Sequence, residues 1–214
     1  MPRTITSTIG SASLTLELAL LYVTLPTLLW LGVLPVRHRL WFLIGVCLLV
    51  AGICFFLRVP RGKLGLGRAN DTAKALIIGV GFFLICFVGW VVVVSFLGRA
   101  PLPMIRTNPQ LLLLITLLYP INVFAQEFVM RAFFFYRYRR LLTPGALILL
   151  NSVIFAFVHI IYGHWVSVIL SYPLGLFLAW LYDRHPSLVA VTVTHYLFGL
   201  LVFASGYGAY FYRA

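Results

Sequence analysis

Apolar residues run along this chain in long blocks, each closed by a short stretch of charge, glycine or proline. Seven blocks can be drawn, at 14–34, 40–57, 74–98, 111–140, 145–162, 165–182 and 187–211. The breaks read "PVRHR", "RVPRGKLGLGRANDTAK", "GRAPLPMIRTNP", "TPG", "YGH" and "DRHP". About twenty apolar residues of helix cross the roughly 30 Å of a bilayer core. The pattern therefore predicts an all-α fold, a polytopic transmembrane helical bundle of about seven spans, forming one integral domain over 1–214 with a motif-bearing core near 110–205. The block at 111–140 is too long for one straight crossing, so a kink is expected at Pro120 and a headgroup position for its "RYRR" end. The 58–73 connection reads as a flexible segment lying along the membrane surface.

Composition agrees with this pattern. Hydrophobic residues make up 63% of the 214 positions and charged residues 9%, where soluble domains carry about a quarter charged. The formal net charge of +12 sits in the short connections, which suits anionic headgroups and not nucleic acid. The opening "MPRTITSTIGSAS" has no small-residue cleavage site after a short apolar core, so the first block is expected to be retained. With the N-terminus inside, ten Lys and Arg fall on the cytoplasmic side (Arg3, Arg58, Arg61, Lys63, Arg68, Lys74, Arg137, Arg139, Arg140, Arg184) and five on the other (Arg37, Arg39, Arg99, Arg106, Arg213). That asymmetry sets the expected orientation.

Cys47, Cys54 and Cys86 lie within apolar blocks and read as free packing residues. Glu17 reads as a surface carboxylate near the headgroups, and the "FFFYRY" aromatics as lipid-facing and interfacial packing.

Few polar groups interrupt the blocks, and three of them share one depth. Glu127 lies 17 residues before Pro144 and His159 lies 15 after it, about 25 and 22 Å from the same turn at 1.5 Å per residue. His195 is nine residues past Pro186, about 14 Å in. Glu127 is ten residues from Arg137, about 15 Å in. An uncompensated charge at such depth costs about 2.5–3.5 kcal/mol or more, which makes intramembrane ionisable groups functional candidates. Asn151, Phe155 and His159 share a helix face. A carboxylate beside an imidazole can hold and deprotonate a water, and a second imidazole or an amide can stabilise an oxyanion. Glu127 and Arg131, one turn apart, also fit a purely structural ion pair, and a buried histidine or asparagine often only joins helices.

"QEFVMR" (126–131), "FAFVH" (155–159) and His195 resemble the three motifs of the CPBP or ABI family, membrane proteases that process CAAX proteins and bacteriocins. The family pattern is Glu-Glu-x-x-x-Arg, then Phe-x-x-x-His, then His-x-x-x-Asn or Asp. The resemblance implies a metal-independent, glutamate-type intramembrane endopeptidase with no cofactor, acting on a membrane-associated or lipid-anchored polypeptide in a bacterial inner (cytoplasmic) membrane. It assigns catalytic places to Glu127, His159 and His195, with Gln126, Arg131 and Asn151 in support. Two positions depart from the pattern: Gln126 stands at the first acid and Gly199 at the final amide, for which Asn151 or Tyr196 could substitute. A degenerate relative acting as a membrane scaffold or immunity factor is the alternative. Metal or haem binding through Glu127, His159 and His195 is a third reading, without HExxH-type spacing.

Overall fold

The computed structural model describes residues 11–67 and 69–211; Arg3, Arg68 and Arg213, used for orientation above, lie outside them, as does most of the opening segment. Seven helices follow the seven apolar blocks. They are α1 (11–30), α2 (Arg39–Phe56), α3 (Ala69–Phe96), α4 (Pro109–Tyr138), α5 (Pro144–Val158), α6 (Trp165–Arg184) and α7 (Leu188–Ala204). A 3₁₀ turn, His159–Tyr162, extends α5, and the last block breaks after Ala204 into a separate 3₁₀ turn at Tyr207–Phe211. Among the described residues there is no strand. The α2 to α6 segments are long and apolar enough to cross a bilayer, while Thr15–Trp30 and Leu188–Ala204 are shorter apolar helices. The chain is an integral membrane protein.

The helix starts are written in local chemistry. Asn108, Thr143 and Ser187 each accept a backbone N–H three residues on, capping α4, α5 and α7. Pro109 and Pro144 occupy first-turn positions where no N–H is needed. The α5 helix and α6 pack closely as an antiparallel pair. Lipid tails are as apolar as leucine, so burial from water does not drive this packing; close fit and interhelical hydrogen bonds do. The outer faces stay apolar, as Phe55, Phe56 and Phe96 show.

One feature of α4 adds to the expectation and another overturns it. The helix runs α-helical through Pro120, and its irregularity comes later, as a π-helical segment at Phe128–Phe133. Proline cannot donate to the carbonyl four residues back; Tyr196 of α7 donates its hydroxyl to that Thr116 carbonyl at 3.0 Å. The "FFFYRY" aromatics are not lipid-facing. Phe133, Phe134, Phe135 and Tyr138 are all buried, because α1, α2, α5 and α6 surround this end of α4 and a helix apolar on every side is a core helix.

The end of α4 is also tied down. Glu17 is no free surface carboxylate: its oxygens accept from Arg137 Nε and Nη2 at 2.9 and 2.6 Å. Arg139 Nη2 donates to Asp183 Oδ1 at 2.6 Å. Within the 58–73 connection, Leu64 and Gly65 are docked rather than loose. Leu64 is buried, and the Gly65 carbonyl accepts the Leu188 N–H at 3.0 Å at the start of α7. Gly65 has φ +69, and a Cβ there would stand 2.9 Å from Leu188 N and from the Tyr182 ring, so the contact requires glycine.

Candidate functional site

Glu127 of α4 and His195 of α7 meet inside the bundle, and His159 of α5 is joined to them through the Phe155 ring. His195 Nδ1 lies 2.8 Å from Glu127 Oε1, across 68 residues of sequence. Arg131 Nε lies 3.4 Å from Glu127 Oε2, one turn along α4. Glu127 and Arg131 are fully enclosed, and His159 and His195 nearly so. Glu127 thus faces one cation and one imidazole, which offsets the cost of holding a carboxylate at this depth.

Phe155 is the hub between these groups. Its ring centroid is 4.9 Å from that of His159 and 5.4 Å from that of His195, and the Arg131 guanidinium sits 4.3 Å above it. The cation is therefore held by a ring face and by the Gly175 carbonyl, which accepts from Nη2 at 3.4 Å. His159 Nδ1 is 2.7 Å from the Phe155 carbonyl. A carbonyl can only accept, so the proton is on Nδ1 and Nε2 of neutral His159 carries the lone pair.

The π-helical segment begins directly after Glu127, and such segments gather at functional sites. Two consecutive carbonyls within it accept side-chain donors from other helices: Val129 from Tyr22 of α1 at 3.1 Å, and Met130 from Asn151 of α5 at 2.6 Å. Asn151 is accordingly engaged with the α4 backbone. Tyr196 is engaged with Thr116. Neither of the residues considered for the missing amide points its polar group at His195. Gln126 is half-buried beside Glu127, and its side chain makes no hydrogen bond to a described residue.

Sequence reasoning passed over Tyr119. It lies eight residues before Glu127, about two turns, and its hydroxyl is 3.5 Å from His195 Nε2. A hydroxyl in an apolar run two turns from an intramembrane acid was the available signal. It also missed Phe155 as a physical link between the histidines and Arg131. Among the described residues no group of three or more His, Cys, Asp or Glu is arranged to hold a metal ion.

Residues 108–201 match the family model described as type II CAAX prenyl endopeptidase Rce1-like. That segment contains Tyr119, Gln126, Glu127, Arg131, Asn151, Phe155, His159 and His195, and the match is consistent with a CPBP-family protein. The matched family is one of peptide hydrolases. No curated protein and no solved structure matches the chain.

Proposed function

Taking residues 108–201 as the Rce1-like region of a CPBP-family protein, we propose that this chain is an intramembrane endopeptidase. It hydrolyses a peptide bond of a membrane-associated or lipid-anchored polypeptide, using water activated by glutamate and histidine. The observation that carries this reading is the 2.8 Å contact of Glu127 with His195 inside the bundle. Glu127 accepts the Nδ1–H of His195, orients the ring and leaves Nε2 as its basic nitrogen. The carboxylate acts through the imidazole, because its oxygens already face His195 and Arg131.

In the reaction His195 Nε2 takes a proton from water as the water oxygen adds to the scissile carbonyl carbon. The same proton then passes to the amide nitrogen as the C–N bond breaks, releasing an acid and an amine. His159 Nε2 accepts the second hydrogen of that water and fixes its direction. Arg131 compensates the Glu127 charge, and the Gln126 amide orients the water or the substrate carbonyl. The expected setting is a bacterial inner (cytoplasmic) membrane, with lipid and a polypeptide substrate as partners and no nucleic acid.

The test is cleavage of a lipidated fluorogenic peptide by the full chain in proteoliposomes. Glu127→Gln, His159→Ala and His195→Ala should each lower turnover by about 10²-fold or more while the protein still purifies as a folded species. Full activity in Glu127→Gln would sink the reading.

One observation favours a second reading, a catalytically degenerate scaffold or immunity factor. Position 126 holds an amide where the family pattern has an acid, and Glu127 is enclosed by its partners. Wild-type protein that binds the peptide at every pH without cutting it, and gains cleavage on Gln126→Glu, would establish this alternative.

A further inference from the structure

We infer that Tyr119 is the hydroxyl donor of this site, serving the carbonyl oxygen that becomes negative as water adds. The inference rests on the peptidase reading above and extends it to a residue outside the three motifs.

The Tyr119 ring is set into a notch on α7. It lies 6.1 Å from the Tyr196 ring and edge-on to Phe203 at 5.4 Å. Residues 196, 199 and 203 share one face of that helix, and the floor of the notch is Gly199. A Cβ at 199 would overlap the Tyr119 ring carbons and its hydroxyl, with Cζ only 2.6 Å away. Any side chain at 199 would evict the phenol. The bare position is therefore what admits a hydroxyl from α4 to the edge of His195.

Both nitrogens of His195 then face α4 groups, Nδ1 facing Glu127 and Nε2 facing Tyr119. With the Nδ1 proton on Glu127, neutral His195 can only accept at Nε2, so the Tyr119 O–H donates there at rest. Nε2 has a single lone pair, so the reacting water must displace the Tyr119 O–H from it; once Nε2 has taken the proton of that water it is a donor. The phenol can no longer donate to it, and its O–H turns to the adjacent oxygen on which charge is building. No proton is created or lost: Tyr119 keeps its own, and the one from water stays on His195 until the amine leaves. The water that becomes the nucleophile thus also frees the donor the oxyanion needs. A donor held ready at that oxygen is the kind of group whose removal costs about 10²–10³ in kcat.

The experiment is Tyr119→Phe in the full chain, which keeps the ring in its notch and removes only the oxygen. Two readouts are taken. In the lipidated-peptide assay kcat should fall about 10²–10³-fold, with KM changing much less. In ¹⁵N-histidine NMR of detergent-solubilised protein, the His195 Nε2 resonance should shift, whether or not any peptide is cut. Gly199→Ala, which displaces the phenol from the other side, should move the same resonance and lower kcat similarly. The double variant should lose no more than either alone. Wild-type kcat in Tyr119→Phe, with Glu127→Gln inactive, overturns the role of Tyr119 and leaves the Glu127–His195 pair standing. An unmoved Nε2 resonance overturns the contact itself.

Discussion

The Tyr22 hydroxyl of α1 donates to the Val129 carbonyl of α4 at 3.1 Å, joining residues 107 apart in sequence two positions from Glu127. Asn151 of α5 donates to the next carbonyl, Met130, at 2.6 Å. The backbone that follows the buried acid is therefore held from two helices at once, at the segment where α4 leaves regular α geometry.

Tyr22→Phe keeps the edge-on packing against Phe134 (5.5 Å between centroids) and deletes only the donor. Interhelical hydrogen bonds in membranes average about 0.6 kcal/mol and reach about 1.7. We expect a loss within that range in unfolding by mixed micelles. Cleavage should fall further than this stability change accounts for, because the freed carbonyl lies beside Glu127.

Asn151→Asp should destabilise more than Asn151→Leu. Leucine leaves the Met130 carbonyl without its donor, whereas an ionised aspartate adds a second acceptor facing it. The aspartate variant should recover as pH falls and the introduced carboxyl protonates to become a donor. Unfolding measured across pH checks this: the leucine variant should show no such recovery.

Glu17→Gln weakens the two-point contact with Arg137, a pair that is largely but not fully enclosed (side chains 25% and 11% exposed). A loss of about 1 kcal/mol is expected, near the top of the range for accessible ion pairs. The difference between wild type and variant should shrink as salt is raised. Proteolytic release of α1 should become faster in parallel.

Gly65→Ala forces a Cβ into the left-handed region, at about 1–2 kcal/mol, and against Leu188 N and Tyr182. The Gly65–Leu188 hydrogen bond should be lost, loosening the start of α7, which carries His195. Reduced thermal stability and reduced cleavage are expected together, with hydrogen exchange at residues 188–191 accelerated.

Much of this architecture can be read along the chain. The apolar blocks mark all seven helices to within a few residues except at the last, which stops at Ala204. The Asn108, Thr143 and Ser187 caps are visible as residue types ahead of apolar runs. The coincidence in depth of Glu127, His159 and His195 follows from counting residues between turns. Hydropathy and helical rise are local properties, so one dimension suffices for them.

Rotation about each helix axis is different. The α4 helix is apolar on nearly every side, so no stripe in its sequence says which face meets α7 or which meets lipid, and the burial of the "FFFYRY" aromatics is not legible in it for that reason. The π-helical segment at Phe128–Phe133 advances the register by an amount no local pattern announces, since two of its carbonyls accept from Tyr22 and Asn151 elsewhere in the chain. Tyr119 and Gly199 are unremarkable apart, and become a site only once α4 and α7 are side by side. The sequence by itself determined which residues lie in apolar helices and how far along each helix they sit. Tertiary packing alone decided which of them face one another, because that depends on volumes and donors contributed by other helices.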